Sequence, residues 1–269
     1  MRPMITVAAA QLVALSFIGP LYAQSRTEIV DVPVRQGVTM RYLSISAGAS
    51  PKATVILLAG GKGALRLSAA GAFGDLSLNF LIRSRDQFAR QGLAVAALDA
   101  ASDHLGGMNG QVRMSVEYAQ DVGKVIGEIK KRTNAPVWVI GTSAGTLSAV
   151  NVGARSNPAA DGIVLTSTMT TLDKAGYCGM TVYNGPLASI RRPVLVVSHK
   201  DDGCACSPGS PEVGAKLVAA LSGAAAKEFK MFTGGSPPRS PPCEANSQHG
   251  YLGIEANVVK AIADWIKAH

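Results

Sequence analysis

The stretch VIGTSAGTLSAV, residues 139–150, decides how this chain is read. Val139 and Ile140 close a run of strand formers, Ala135-Pro-Val-Trp-Val-Ile-Gly141. Gly141-Thr142-Ser143-Ala144-Gly145 follows, and the chain passes at once into small, helix-compatible residues. A Gly-x-Ser-x-Gly pentapeptide alone is a weak signal, because it also arises as a serine in an ordinary glycine-rich turn. Between a buried strand and a helix it is far more specific. There the turn is tight, the serine carries strained dihedrals, and small residues two before and two after let neighbouring chain pass closely. Parallel sheets gather functional groups at the carboxyl ends of their strands, so Ser143 is a candidate nucleophile.

Working outward, the same alternation of elements recurs. TEIVDVPV and TMRYLSISAG alternate around RQG and predict an antiparallel hairpin at a sheet edge. ATVILLAGGKG is a continuous apolar run ending in glycines, as expected of a strand buried on both faces. LSLNFLIRSRDQFARQG predicts a helix with Leu78, Leu81, Ile82 and Phe88 on its apolar side and a stop at Gly92. LAVAALDA predicts a strand, and residues 112–132 a helix that buries Val116, Ala119, Val122, Val125, Ile126 and Ile129. Beyond the pentapeptide helix come strands at DGIVLTST and RPVLVVSHK, a helix at 211–223, a last strand at KEFKMFTG and a terminal amphipathic helix, GIEANVVKAIADWIKA. The prediction is an α/β fold with a doubly wound, mostly parallel sheet and an N-terminal antiparallel hairpin. Residues 167–192 hold no long helix, so little or no lid is expected. Residues 234–248 read as an ordered Pro/Ser-rich loop.

The composition suits one domain: 269 residues, 47% hydrophobic and 16% charged. Residues 1–23 read as an export leader, with a charged MRPM, an apolar ITVAAAQLVALSFI and a cut after Ala23. The catalytic domain then spans 24–269 of an exported, periplasmic or secreted protein. An uncleaved N-terminal anchor is the alternative; no other segment is apolar enough to cross a bilayer. The formal charge of +8 comes with no basic stripe interleaved with aromatics, which argues against nucleic acid as a partner. Solubility or attraction to an anionic envelope accounts for it more simply.

A serine hydroxyl needs a base, and the base needs an orienting acid. With a nucleophile on a strand-to-helix elbow, the chain order is Ser, then Asp or Glu, then His. Of four histidines, His249 lies between the last strand and the last helix, where the base belongs. The acid follows RPVLVVSHK. Asp202 is favoured by counting from the apolar core, with Asp201 as the reserve. For the oxyanion the expected donors are the backbone N–H of Ala144 and, from AGGKG, that of Gly61, with Lys62 next. The glycines of AGGKG lack the Gly-Lys-Ser/Thr ending of a phosphate loop.

LLAGGKG, GTSAG, PVLVVSHKDD and SQHGYLGIE, in this order and spacing, resemble the α/β-hydrolase superfamily over nearly the whole mature chain. Within it the chain looks like compact exported bacterial hydrolases with H-x-x-D-x-C after the acid strand, here His199 to Cys204. Where many relatives have His-Gly at the oxyanion strand end, this chain has Ala59-Gly60. The resemblance implies an α/β-hydrolase fold, a Ser–His–Asp triad and hydrolysis of an ester or related acyl bond, with no cofactor and no metal.

Four cysteines in an exported chain pair by default. If Asp202 meets His249, a Cys204–Cys243 bridge ties the acid loop to the base loop, leaving Cys178 with Cys206. Cys206–Cys243 with Cys178–Cys204 is the alternative, and Cys204–Cys206 would close a strained ring. Lys62, Arg66, Asp103 and His104 lie in loops after strand ends, and Lys62 is the candidate contact for an anionic substrate. Met169, Met180 and Tyr183 are candidates for the pocket wall. The leading reading is a serine, carboxylesterase-like hydrolase acting on a small-molecule or accessible ester through an acyl-enzyme. A peptidase or amidase with the same triad is the runner-up. A non-catalytic exported binding protein is the third reading. The sequence sets no oligomeric state.

Overall fold

Eight strands form one sheet in the order β1-β2-β4-β3-β5-β6-β7-β8. The computed structural model describes residues 26–46, 48, 50–173 and 178–269, so the leader expected over 1–23 lies outside the described residues. Among the described residues no helix is long and apolar enough to cross a membrane.

The edge hairpin is β1 (Thr27–Arg35) and β2 (Val38–Ile45). Its turn uses Gly37 at φ +69°, a conformation that costs a glycine little. After β3 (Thr54–Leu58) the chain runs through α1 (Phe80–Arg83) and α2 (Arg85–Arg90) into β4 (Ala94–Ala101). Next come α3 (Gly110–Met114), α4 (Val116–Thr133), β5 (Val137–Thr142) and α5 (Gly145–Arg155). The remainder is β6 (Gly162–Thr166), β7 (Val194–His199), α6 (Pro211–Ala220), β8 (Lys227–Phe232) and α7 (Glu255–Ala268). β2 pairs antiparallel with β1 and β4, and every other pairing is parallel. Every residue of β3, β4, β5 and β6 is buried, which is why these strands read as unbroken apolar runs. Residues of α4 and α5 pack on one face of the sheet, and those of α1, α2 and α7 on the other.

At two places side-chain caps override the apolar periodicity. Asn79 accepts from the N–H of Leu81 and starts α1 after Leu78, which is left 58% exposed instead of buried. Ser115 accepts from Tyr118 N–H and opens a new helix, so the helix expected over 112–132 divides into α3 and α4. Val116 then falls on the first turn of α4 and is 55% exposed.

Candidate active site

Ser143 stands directly after β5, at φ +52°, in the left-handed region. The two glycines of the pentapeptide are needed where they stand. A Cβ on Gly141 would come within 2.4 Å of the Gly145 carbonyl oxygen, and one on Gly145 within 2.1 Å of that of Leu58. Gly60, on the neighbouring loop, is held as closely: a Cβ there would lie 2.8 Å from Ser143 Cβ. The Ser143 N–H donates to the Thr166 carbonyl at 3.0 Å, so the end of β6 braces the turn.

The next residue of that strand end holds the base loop. Ser167 Oγ donates to the His249 carbonyl at 2.7 Å, and Ser167 N–H donates to the Tyr251 hydroxyl, which itself donates to the Val197 carbonyl. Arg83 grips the same loop from below, donating to the carbonyls of Ala245 and Gly250 while paired with Glu255 at 2.9 Å. His249 is thereby buried with its backbone fixed on both sides.

His249 Nδ1 lies 2.9 Å from Asp202 Oδ2. With the ring proton on Nδ1, the imidazole donates to that carboxylate, and Nε2 is left as the acceptor. Nε2 is buried and has no partner among the described residues. Asp202 is itself buried and accepts from the Cys204 N–H at 3.0 Å. Asp201 is not brought to the histidine: its side chain is 65% exposed, and its N–H caps His199 Nδ1 at 3.0 Å. Because His199 Nδ1 accepts there, its Nε2 carries the proton and donates to the Gly234 carbonyl at 2.9 Å. This buried imidazole is a neutral strut between the acid loop and the loop after β8.

Two disulfides lock the acid loop. Cys204 is joined to Cys243, and Cys178 to Cys206. The first ties the acid loop to the base loop. The second brings Cys206 to the segment after β6, where its carbonyl accepts from the N–H groups of Thr170 and Thr171. Sulfur atoms of Cys204, Cys206 and Cys243 lie within 4.8 Å of one another, but all are consumed in disulfides and offer no metal a thiolate. Ser207, next in this loop, places its Oγ 3.1 Å from His249 Nδ1, a second neighbour that sequence reasoning missed.

At the two expected oxyanion donors, no acceptor among the described residues engages the N–H of Ala144 or of Gly61. Gly61 takes φ +54°. Two groups shape its loop, and neither announced itself in the sequence. Asp99, at the end of β4, accepts from the N–H of Leu65 at 2.6 Å and of Leu67 at 2.8 Å. Arg113 is fully buried, donates to the carbonyls of Gly61 (2.9 Å) and Ala59 (3.4 Å) and to Ser148 Oγ (3.1 Å), and has no carboxylate partner among the described residues. Its burial pulls the guanidinium pKa down to about 10. A lone arginine in the last turn of a short helix reads in a sequence as a solvated side chain, so nothing marked it.

Of the residues expected to line a pocket, Met169 is tied to the elbow. Its N–H donates to Thr146 Oγ1, and that hydroxyl donates to the Ser143 carbonyl at 2.6 Å. Met180 packs partly buried against the same core cluster. Lys62 is exposed beside Gly61, with its carbonyl accepting from Met108 N–H at 2.8 Å. Tyr183 packs partly buried against the same cluster, with the Lys216 ammonium 5.4 Å from its ring centre.

Set against known proteins, residues 77–203 match a family model described as serine aminopeptidase, S33. The fold is similar to that of an esterase from Pyrococcus furiosus, with a TM-score of 0.64, 15% identity, and 91% of this chain and 92% of that chain covered. It is also similar to a cold-adapted esterase from an Arctic intertidal metagenomic library (TM-score 0.56, 17% identity, 93% and 95% covered). A soluble variant of monoglyceride lipase from Saccharomyces cerevisiae is a third (TM-score 0.61, 12% identity, 93% and 98% covered). No curated protein sequence matches the chain. Sheet order, strand-to-helix elbow and these likenesses together show an α/β-hydrolase fold.

Proposed function

We propose that the chain is an exported serine hydrolase, carboxylesterase-like, that cleaves a carboxylic ester through an acyl-enzyme. The reading is carried by the buried His249–Asp202 contact at 2.9 Å, with Nε2 unpartnered, set on the strand end that also braces Ser143. In the proposed reaction His249 Nε2 takes the proton of Ser143 Oγ as that oxygen attacks the ester carbonyl. Asp202 holds the ring orientation and balances the imidazolium. The N–H groups of Ala144 and Gly61 receive the oxyanion, at the stage where charge develops. The alcohol leaves with the proton from His249, and water, activated by the same imidazole, releases the acid. No step calls for a cofactor or metal. The two disulfides support export, and the proposed partner is a small-molecule or otherwise accessible ester.

The test is turnover of p-nitrophenyl esters from acetyl to palmitoyl by the wild type and Ser143→Ala, with aminoacyl p-nitroanilides alongside. Ester turnover lost in the variant supports the proposal, and the best chain length sizes the acyl pocket. Folded wild type that turns over no ester refutes it. Turnover of the anilides alone selects the second reading, an aminopeptidase, which the description of the matched family favours.

A further inference from the structure

We infer that Ser207 is a positioning residue for the base, its hydroxyl taking a second share of the proton that His249 Nδ1 gives to Asp202. The inference deepens the proposed function and rests on its reading of His249 as the base. Nδ1 has one proton and two oxygens within reach, Asp202 Oδ2 at 2.9 Å and Ser207 Oγ at 3.1 Å. All three residues are buried. Were the serine to donate to Nδ1, the ring nitrogen would turn a lone pair toward a buried carboxylate, two acceptors facing each other away from water. Nδ1 therefore keeps its proton, and Ser207 Oγ accepts a branch of the same hydrogen bond. Two acceptors hold the ring from two directions, whereas Asp202 alone would let it pivot about a single contact.

The hydroxyl is not needed to build its own loop. The turn at Ser207 is closed by the backbone N–H, which donates to the Cys204 carbonyl at 3.0 Å, and alanine would close it equally well. Among the described residues the imidazole is the one hydrogen-bond partner of Ser207 Oγ. Covalent bonds and backbone fix where that oxygen stands. Cys206, the residue before it, is bridged to Cys178 and accepts from the N–H groups of Thr170 and Thr171. Gly209 N–H donates to the Asp202 carbonyl at 3.2 Å and folds the loop back, so that two oxygens five residues apart reach one nitrogen. The disulfides divide this work: Cys204–Cys243 stands beside Asp202, and Cys178–Cys206 beside Ser207.

When the ring takes up the Ser143 proton, Nδ1–H becomes a charged donor and its hydrogen bonds strengthen. Asp202 then supplies a countercharge, and Ser207 a fixed dipole. The other ionisable groups around the base loop are engaged or exposed. The Tyr251 hydroxyl donates to the Val197 carbonyl, Arg83 is paired with Glu255, and His199 lies between the Asp201 N–H and the Gly234 carbonyl. Arg239 and Glu244 are exposed.

The test is Ser207→Ala, read in two ways. In p-nitrophenyl acetate hydrolysis followed against pH, kcat should fall about fivefold, the worth of one ordinary hydrogen bond, with KM unchanged. The acid limb of the kcat profile should move to lower pH, because the imidazolium has lost an acceptor. Proton NMR gives the second reading and needs no substrate. The low-field Nδ1–H resonance of His249, identified by its absence in His249→Gln, should move to still lower field in Ser207→Ala, as the proton passes wholly to Asp202. An unchanged kcat overturns the inference. So does a fall in kcat with the acid limb in place, which is what a structural role alone would give, or a resonance that does not move. Should wild type hydrolyse no ester, the proposed function fails by itself, and the resonance still decides whether Ser207 shares the proton.

Discussion

Arg113 should control the oxyanion loop, and the sign of a pH effect can show it. The guanidinium holds the carbonyls of Gly61 and Ala59 from inside the core, with its pKa pulled down to about 10 by burial. That depression corresponds to about 3 kcal/mol of desolvation borne by the charged form. Hydrogen bonds from a charged donor return about 1.5–3 kcal/mol each. Its three hydrogen bonds outweigh that cost by roughly 1.5–6 kcal/mol, so Arg113→Met should lower the unfolding free energy by about that amount. Turnover should fall as well. Loss of one oxyanion donor costs about a hundredfold to a thousandfold in kcat, and a Gly61 donor that is loosened but kept should cost roughly tenfold to a hundredfold, with KM little changed.

Arg113→Lys separates positioning from simple packing. A burial effect of the same size would bring the introduced ammonium from its usual 10.4 to about 8. Folded protein then binds fewer protons than unfolded protein between about pH 8 and pH 10, so stability rises with pH across that window. Turnover should fall across the same window, because the neutral amine grips the Gly61 carbonyl less firmly than the ammonium. Wild type, protonated at Arg113 up to about pH 10, should show no such limb. The assay is initial rates of p-nitrophenyl ester hydrolysis from pH 6 to pH 10, corrected for spontaneous hydrolysis, beside urea unfolding at each pH. Activity and stability that rise together in Arg113→Lys, or full kcat in Arg113→Met, would refute the reasoning.

Asp202→Asn should lower kcat by roughly ten-thousandfold by freeing the wrong imidazole tautomer, whereas Asp201→Asn should stay within about twofold of wild type, both read as kcat at neutral pH. Gly60→Ala would set a methyl 2.8 Å from Ser143 Cβ and 2.9 Å from the Thr142 carbonyl oxygen, so it should distort the elbow, costing about 1–3 kcal/mol in urea unfolding and at least about tenfold in kcat. Joint replacement of Cys204 and Cys243 by serine should lower the unfolding free energy by roughly 3–4 kcal/mol and the thermal midpoint by about 6–16 °C. It should also lower kcat more than joint replacement of Cys178 and Cys206, because Cys204 N–H is the group that holds Asp202 Oδ1.

What the sequence discloses follows from how far each signal reaches along the chain. Parallel strands buried on both faces leave continuous apolar runs, so β3 through β7 stand out without any structure. The elbow is equally local, because the steric demand on Gly141 and Gly145 is met within five residues. Chain order narrows His249 and the Asp201–Asp202 pair, but choosing between the two aspartates takes a contact across 47 residues of sequence. Helix starts go astray for a different reason: Asn79 and Ser115 compete for the backbone with side-chain oxygens, which a hydrophobic period does not register.

Arg113 marks the point at which sequence reading fails in principle. Its role depends on two carbonyls 52 and 54 residues away, and carbonyls carry no residue identity. The compensating absence lies at Ala59-Gly60, where the superfamily that the sequence resembles often has His-Gly. With no histidine side chain on that strand end, the loop takes its support from beneath, and Gly63 keeps the necessary space: a Cβ there would stand 2.4 Å from Arg113 Nη2. A buried cation with no counter-ion is a costly support for a loop that has only to be held still. It is well matched to one whose N–H must meet a negative charge, since guanidinium and developing oxyanion then attract through the same few atoms of backbone.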